Sequence, residues 1–118
     1  MTSIPLITLL VALAHVESND KDNAIGDNGT SYGCLQIKEI YVKDVNRILG
    51  KELYKHEDAF NRASAYHMFI IYTDYYATQK RLGREPTDED RARIHNGGPN
   101  GWKKPQTKAY WHKVQKML

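Results

Sequence analysis

Ile4-Pro5-Leu6-Ile7-Thr8-Leu9-Leu10-Val11-Ala12-Leu13-Ala14-His15-Val16 is almost wholly apolar and gives way at once to Glu17-Ser18 and a polar tract. Ala12-Leu13-Ala14 imitates a signal-peptide cleavage site. Two features speak against that reading. No Lys or Arg precedes the run, and cleavage after Ala14 would strip a chain of 118 residues of its most hydrophobic segment. The run is also too short to span a bilayer, which takes about 20 residues. It is therefore read as a buried helix, opened by Thr2 or Ser3 as a cap, with Pro5 in the first turn, where a missing N–H costs little.

Downstream, Ser18 to Gly33 holds Asn19, Asp20, Asp22, Asn23, Asp27 and Asn28 among Gly26, Gly29 and Gly33, the composition of turns or a short hairpin. Leu35, Ile37, Ile40, Tyr41, Val45, Ile48 and Leu49 then recur at helical spacing up to Gly50, placing a second helix from near Lys38. A long periodic segment runs from about Asp58 to Leu82, with Ala59, Ala63, Tyr66, Ile70 and Ala77 on one stripe and Phe69, Tyr72 and Tyr76 widening it. Thr87 caps a shorter helix through Ile94, with Asp88, Glu89 and Asp90 at its positive end. His95 to Pro105 reads as a loop. Gln106 to Leu118 closes the chain as a helix with Ala109, Tyr110, Val114 and Met117 facing inward. These elements define one α+β domain over residues 1–118, predominantly α, with about five helices and one small polar loop or β-hairpin lobe after the first.

Composition narrows the functional classes. Lys and Arg number 17 against 14 Asp and Glu, a net charge of +3, mildly basic and far from a nucleic-acid-condensing tail. The single Cys34 permits no internal disulfide and no cysteine zinc cluster, so core burial must carry the stability. Asp20, Asp22 and Asp27 do not make a calcium loop, because Ile25 falls where glycine is required. The histidines His15, His56, His67, His95 and His112 lack metal-ligand spacing, and Gly97 to Lys103 does not match a phosphate-binding loop. Neither a metal nor a cofactor is expected.

Two carboxylates remain. Glu17 ends the apolar helix where it meets the polar tract, and partial removal from water biases a carboxyl toward the protonated form that a general acid requires. Position alone fits more readily the plainer role of a first solvated residue past a core helix. Asp27 follows ten residues later between Gly26 and Gly29, which let the backbone turn back toward the helix end. A carboxylic acid facing a carboxylate is the apparatus of glycoside hydrolysis. Asp-Asn-Gly is also a common turn in which Asp bonds its own backbone.

Glu17-Ser18, Ser31-Tyr32-Gly33-Cys34-Leu35-Gln36-Ile37-Lys38, Ala92-Arg93-Ile94-His95-Asn96-Gly97-Gly98-Pro99-Asn100-Gly101 and Tyr110-Trp111-His112-Lys113-Val114, in that order, resemble the invertebrate-type lysozyme (destabilase) family. A looser likeness extends to the soluble lytic transglycosylases and goose-type lysozymes. The resemblance spans nearly the whole chain. It implies a lysozyme-like fold and a muramidase that cleaves the β-1,4 bond between N-acetylmuramic acid and N-acetylglucosamine in peptidoglycan. Glu17 maps onto the family's acid and Asp27 onto its partner carboxylate, with a one-residue gap in the loop. Gln36, His95, Asn96 and Gly97 would line the cleft, with Ser31 and Tyr32 near the cleaved sugar.

Family members are rich in cysteine and this chain has one. That departure leads to the expectation of a phage or bacterial relative, made in the cytoplasm without a signal peptide and acting at the bacterial wall, either free or as part of a virion. The expected partner is the peptidoglycan strand. Lys103, Lys104, Lys108, Lys113 and Lys116, with no acid from Pro99 onward, offer a face for anionic wall polymers. No nucleic acid and no membrane span are expected. A lytic transglycosylase, which can run on Glu17 alone, and a catalytically silent glycan-binding or virion structural module are the competing readings.

Overall fold

A computed structural model describes residues 4–118. The Thr2 or Ser3 cap expected ahead of the first helix lies outside them. Helix α1 spans Leu6–Ser18, and Pro5 sits before its first turn rather than within it. Its buried face is Leu9, Leu10, Leu13 and Ala14. The helix stops at Asn19, which adopts a left-handed conformation (φ 56°), and the following Asp20 N–H reaches back to the Ala14 carbonyl at 3.0 Å. Asn tolerates that conformation better than other non-glycine residues, which fixes where Glu17 and Ser18 end up.

The polar tract folds into a three-stranded antiparallel sheet of β1 (Ile25–Gly26), β2 (Ser31–Tyr32) and β3 (Ile37–Lys38). Ile25 pairs with Tyr32, and Tyr32 with Ile37. The Tyr32 ring is sandwiched, stacking on His56 at 3.7 Å and on Phe60 at 4.6 Å, which fastens the lobe to a 3-10 turn over His56–Phe60. Gly33 permits that approach. Its φ is +81°, and a Cβ there would stand 1.9 Å from the Ala59 carbonyl oxygen.

Helix α2 (Glu39–Leu49) ends at Gly50, as its periodicity predicts. The segment expected from Asp58 to Leu82 is divided into the 3-10 turn, α3 (Arg62–Tyr76) and α4 (Gln79–Leu82). The breaks fall where polar side chains cap: Asn61 Oδ1 accepts from Ser64 N–H at 2.9 Å, and Thr78 Oγ1 from Arg81 N–H at 3.2 Å. The buried stripe of α3 is Ala65, Met68, Phe69, Tyr72 and Thr73, and the expected Ala63 is exposed.

Helix α5 (Asp88–Gly97) opens with the Thr87–Asp90 capping box and runs past Ile94, so His95, Asn96 and Gly97 form its last turn rather than the expected loop. The stop comes at Gly98, φ +88°. Helix α6 (Gln106–Lys116) turns Thr107 and Val114 inward with Tyr110 and Trp111 half-buried, while Ala109 and Met117 are exposed. One core gathers Leu9, Leu13, Leu35, Ile37, Val45, Met68, Phe69, Ile94 and Val114 from nearly every element. The described residues thus form a mostly helical protein with six α-helices and a small sheet, the class the sequence indicated. No helix among them is long and apolar enough to cross a membrane.

Candidate active site

A cleft of about 630 Å³ lies between the small sheet and the helices. Glu17 at the end of α1, Asp27, Gln36, His95 and Asn96 all line it. Five of the eight residues singled out from sequence therefore meet in one groove. Ser31, Tyr32 and Gly97 do not line it. Ser31 is fully buried, Tyr32 is held in its aromatic sandwich, and Gly97 packs against Thr107.

The two carboxylates stand in different surroundings. The Glu17 side chain is 17% exposed, Oε2 accepts the Tyr110 hydroxyl at 2.9 Å, and His95 Nε2 lies 3.4 Å from the same oxygen. His95 is buried on α5, with Nε2 3.0 Å from the Leu35 carbonyl and Nδ1 2.9 Å from the Tyr41 hydroxyl. A carbonyl can only accept, so Nε2 carries a hydrogen and Nδ1 receives Tyr41 O–H. Burial, then the charges of Tyr72 and Glu17, pushes the Tyr41 phenol well above its ordinary range. Burial, then the Glu17 charge, does the same to Tyr110. Both hydroxyls thus stay donors.

Asp27, by contrast, has a side chain 62% exposed, accepts the Ser31 hydroxyl at 2.6 Å, and lies 3.8 Å from Lys38 Nζ. Its backbone is left-handed (φ 51°), as is that of Gln36 (φ 52°). Gln36 is neither Gly nor Asn, so this conformation is strained and must be held by its surroundings. Its Nε2 donates to the Gly33 carbonyl at 3.0 Å, closing the turn between β2 and β3.

Sequence reasoning missed Tyr41 and Tyr110 as partners of His95 and Glu17, because each sits on an amphipathic stripe and reads as core. It also missed the far wall, where Lys38, Lys43, Asp44 and Arg47 line the cleft below an exposed Ile40. Ile40, one of the residues recurring at helical spacing, is 76% exposed. Among the described residues, no group of three or more His, Cys, Asp or Glu could hold a metal ion.

A helical body and a three-stranded lobe enclosing a cleft with a shielded Glu at the end of the first helix define the class of lysozyme-like folds. Comparison with known proteins narrows it. No family model matches the chain. Lysozyme 1 of Crassostrea virginica is 35% identical over 88 residues, covering 75% of this chain and 45% of that protein, so the match spans less than half of the relative's length. The crystal structure of an inhibitor-bound lysozyme from Meretrix lusoria is 34% identical, covers 92% of this chain and 87% of that one, and superposes with a TM-score of 0.76. The Tapes japonica lysozyme, 24% identical with a TM-score of 0.77 over 98% of this chain and 94% of that one, speaks to the fold alone. The chain belongs to the invertebrate-type lysozyme family.

These relatives are lysozymes of bivalve animals, which overturns the expectation of a phage or bacterial protein made in the cytoplasm and acting from there at the wall. That expectation rested on cysteine scarcity. Cys34 is fully buried, and burial pushes its thiol up to about 11, so it serves as a small core residue. Few cysteines describe how this chain is held together, not where it acts.

Proposed function

We propose that this protein is a muramidase, a lysozyme-type glycoside hydrolase acting on the bond between N-acetylmuramic acid and N-acetylglucosamine in peptidoglycan. The observation that carries the reading is the pair of carboxylates lining one cleft in contrasting environments, Glu17 shielded and Asp27 open to water. Such a contrast separates acid from base, and lysozymes are the type case of this chemistry. Glu17 protonates the glycosidic oxygen as the bond to C1 breaks. Asp27 stays ionised and meets the oxocarbenium-like carbon as nucleophile or electrostatic stabiliser. The Ser31 hydroxyl, 2.6 Å from its Oδ2, orients the Asp27 carboxylate. Gln36 and Asn96 supply polar groups for sugar hydroxyls, and Ser31, Tyr32 and Gly97 act behind the cleft by fixing the lobe and the last turn of α5.

Peptidoglycan is the proposed partner. The exposed Lys108, Lys113 and Lys116 of α6 offer contacts to anionic wall polymers. The Meretrix lusoria lysozyme has been crystallised with Aeromonas hydrophila PliI, and an inhibitor protein of that kind is a further proposed partner.

Mass spectrometry of purified peptidoglycan digested by the wild type, Glu17→Gln and Asp27→Asn tests the reading. Reducing muropeptides from the wild type, lost in both variants, are expected. Anhydro products that survive Asp27→Asn would replace hydrolysis by transglycosylation, and no fragments from the wild type would reduce the protein to a binding module.

A further inference from the structure

The two oxygens of Glu17 are not equivalent. Oε2 accepts from the Tyr110 hydroxyl of α6 at 2.9 Å and lies 3.4 Å from His95 Nε2 of α5. Among the described residues no donor reaches Oε1, although Glu17 lines the cleft. We propose that Oε1 carries the acid proton toward the scissile bond and that Tyr110 is the positioning residue that fixes this choice by holding Oε2 as an acceptor. The inference rests on the reading of Glu17 as the general acid.

A protonated carboxyl has one O–H and must decide which oxygen bears it. Placing the hydrogen on Oε2 would set it against the Tyr110 O–H. Placing it on Oε1 leaves every donor with an acceptor. As the reaction proceeds, the O–H bond at Oε1 breaks and a new one forms to the glycosidic oxygen, while the electron pair of the C1–O bond leaves with that oxygen. The negative charge left on the carboxylate is already met by Tyr110. A hydrogen bond to an ionised acceptor is roughly twice as strong as a neutral one, so the Tyr110 contact tightens in the transition state. The interaction joins the end of the first helix to the last helix, 93 residues away.

Tyr110→Phe removes the hydroxyl and keeps the ring. The other titratable and charged groups around Glu17, which are His95 and Tyr41 and, along the cleft, Asp27, Lys38, Lys43, Asp44, Arg47 and Tyr72, stay in place. Turnover of a soluble peptidoglycan oligosaccharide across the pH range is expected to show kcat reduced about 10- to 100-fold with KM unchanged. The alkaline limb of the profile is expected to move up, because the ionised carboxylate has lost a donor. An unchanged profile overturns the proposal, and so does a uniform loss of kcat at every pH, which would mean packing alone.

Should Tyr110→Phe not fold, NMR of the wild type provides the test. The Tyr110 Cζ chemical shift is expected to titrate together with the Glu17 carboxyl carbon, and independence of the two would overturn the assignment. Failure of the underlying reading looks different. Full activity in Glu17→Gln removes the acid itself, whereas an inactive Glu17→Gln beside an unaffected Tyr110→Phe removes only the role of Tyr110.

Discussion

Replacing Arg93 by Met tests the corner that presents the end of α5 to the cleft. The Arg93 side chain is 9% exposed and each of its three guanidinium nitrogens donates a hydrogen bond. Nε donates to Thr107 Oγ1 at 2.8 Å, one terminal nitrogen to Glu89 at 2.7 Å and the other to the Lys104 carbonyl at 2.8 Å. Breaking a buried ionic cluster by removing one partner costs about 3–5 kcal/mol. The lower end applies here. Glu89 is partly exposed and regains water, and the Lys104 carbonyl keeps the Thr107 N–H as a donor. An unfolding entropy near 2.1 cal/mol/K per residue gives about 250 cal/mol/K for this chain, so about 3 kcal/mol lowers Tm by about 12 °C. Circular dichroism at 222 nm during heating reads this directly, and Arg93→Lys, which keeps the charge but not the fork, is expected to fall in between. A Tm within about 4 °C of wild type would refute the reasoning and show that methionine packing replaces the guanidinium without loss.

Asp90 is buried, which works against its ionisation, but the Arg84 fork at 2.6 and 2.8 Å and the N–H and hydroxyl of Thr87 outweigh that and hold its carboxyl below the usual 3.8. A depressed folded-state value means stability present above the ordinary carboxylate range and lost as pH falls through the lower folded-state value, so unfolding free energies from urea melts of wild type and Asp90→Asn should differ by about 1–2 kcal/mol at neutral pH and narrow in acid. A gap that does not narrow as the pH is lowered would contradict this assignment. Gly33→Ala forces a Cβ against the Ala59 carbonyl at a left-handed backbone and is expected to cost about 2–5 kcal/mol in thermal unfolding. Wild-type Tm in that variant would show that the 3-10 turn shifts freely. Cys34 is expected to resist thiol reagents at pH 8 until the chain unfolds, since burial pushes its thiol up to about 11. Rapid labelling of native protein would overturn that.

What could be read in advance follows from how local each cause is. Gly50 and the Thr87–Asp90 box set their helix ends by short-range chemistry and stand where the sequence put them. Position 63 failed because Ala serves a buried or an exposed site equally, and the choice between its stripe and that of Phe69 and Tyr72 is made by what α3 packs against. The last turn of α5 was hidden because His-Asn-Gly-Gly-Pro has loop composition, yet only Gly98 and Pro99 lie outside the helix. The carboxylates of the cleft were legible from the end of an apolar helix and a glycine-flanked Asp. Tyr110 was not, since a contact across 93 residues leaves no mark on helical periodicity.

The stability left uncovered by cysteines is supplied by side chains that pin irregular backbone. Asn46, buried on α2, accepts the Leu53 and Tyr54 N–H groups and donates to the Tyr54 carbonyl, closing the loop after the helix. Ser18 donates to the Cys34 carbonyl at 2.9 Å and Arg62 binds Asp20 and Asp22, so the sheet is held to α1 and α3 from behind. Arg81 reaches the Pro99 carbonyl and Asn100, restraining the segment after α5. Each pin satisfies backbone groups that would otherwise compete for water, which a disulfide does not do. Two of these pins act on elements that carry cleft residues: Ser18 is next to Glu17, and Arg81 restrains Pro99 on the cleft wall. In this chain, then, the contacts that stand in for cross-links also set the geometry on which the chemistry depends, and weakening one is expected to cost activity before it costs the fold.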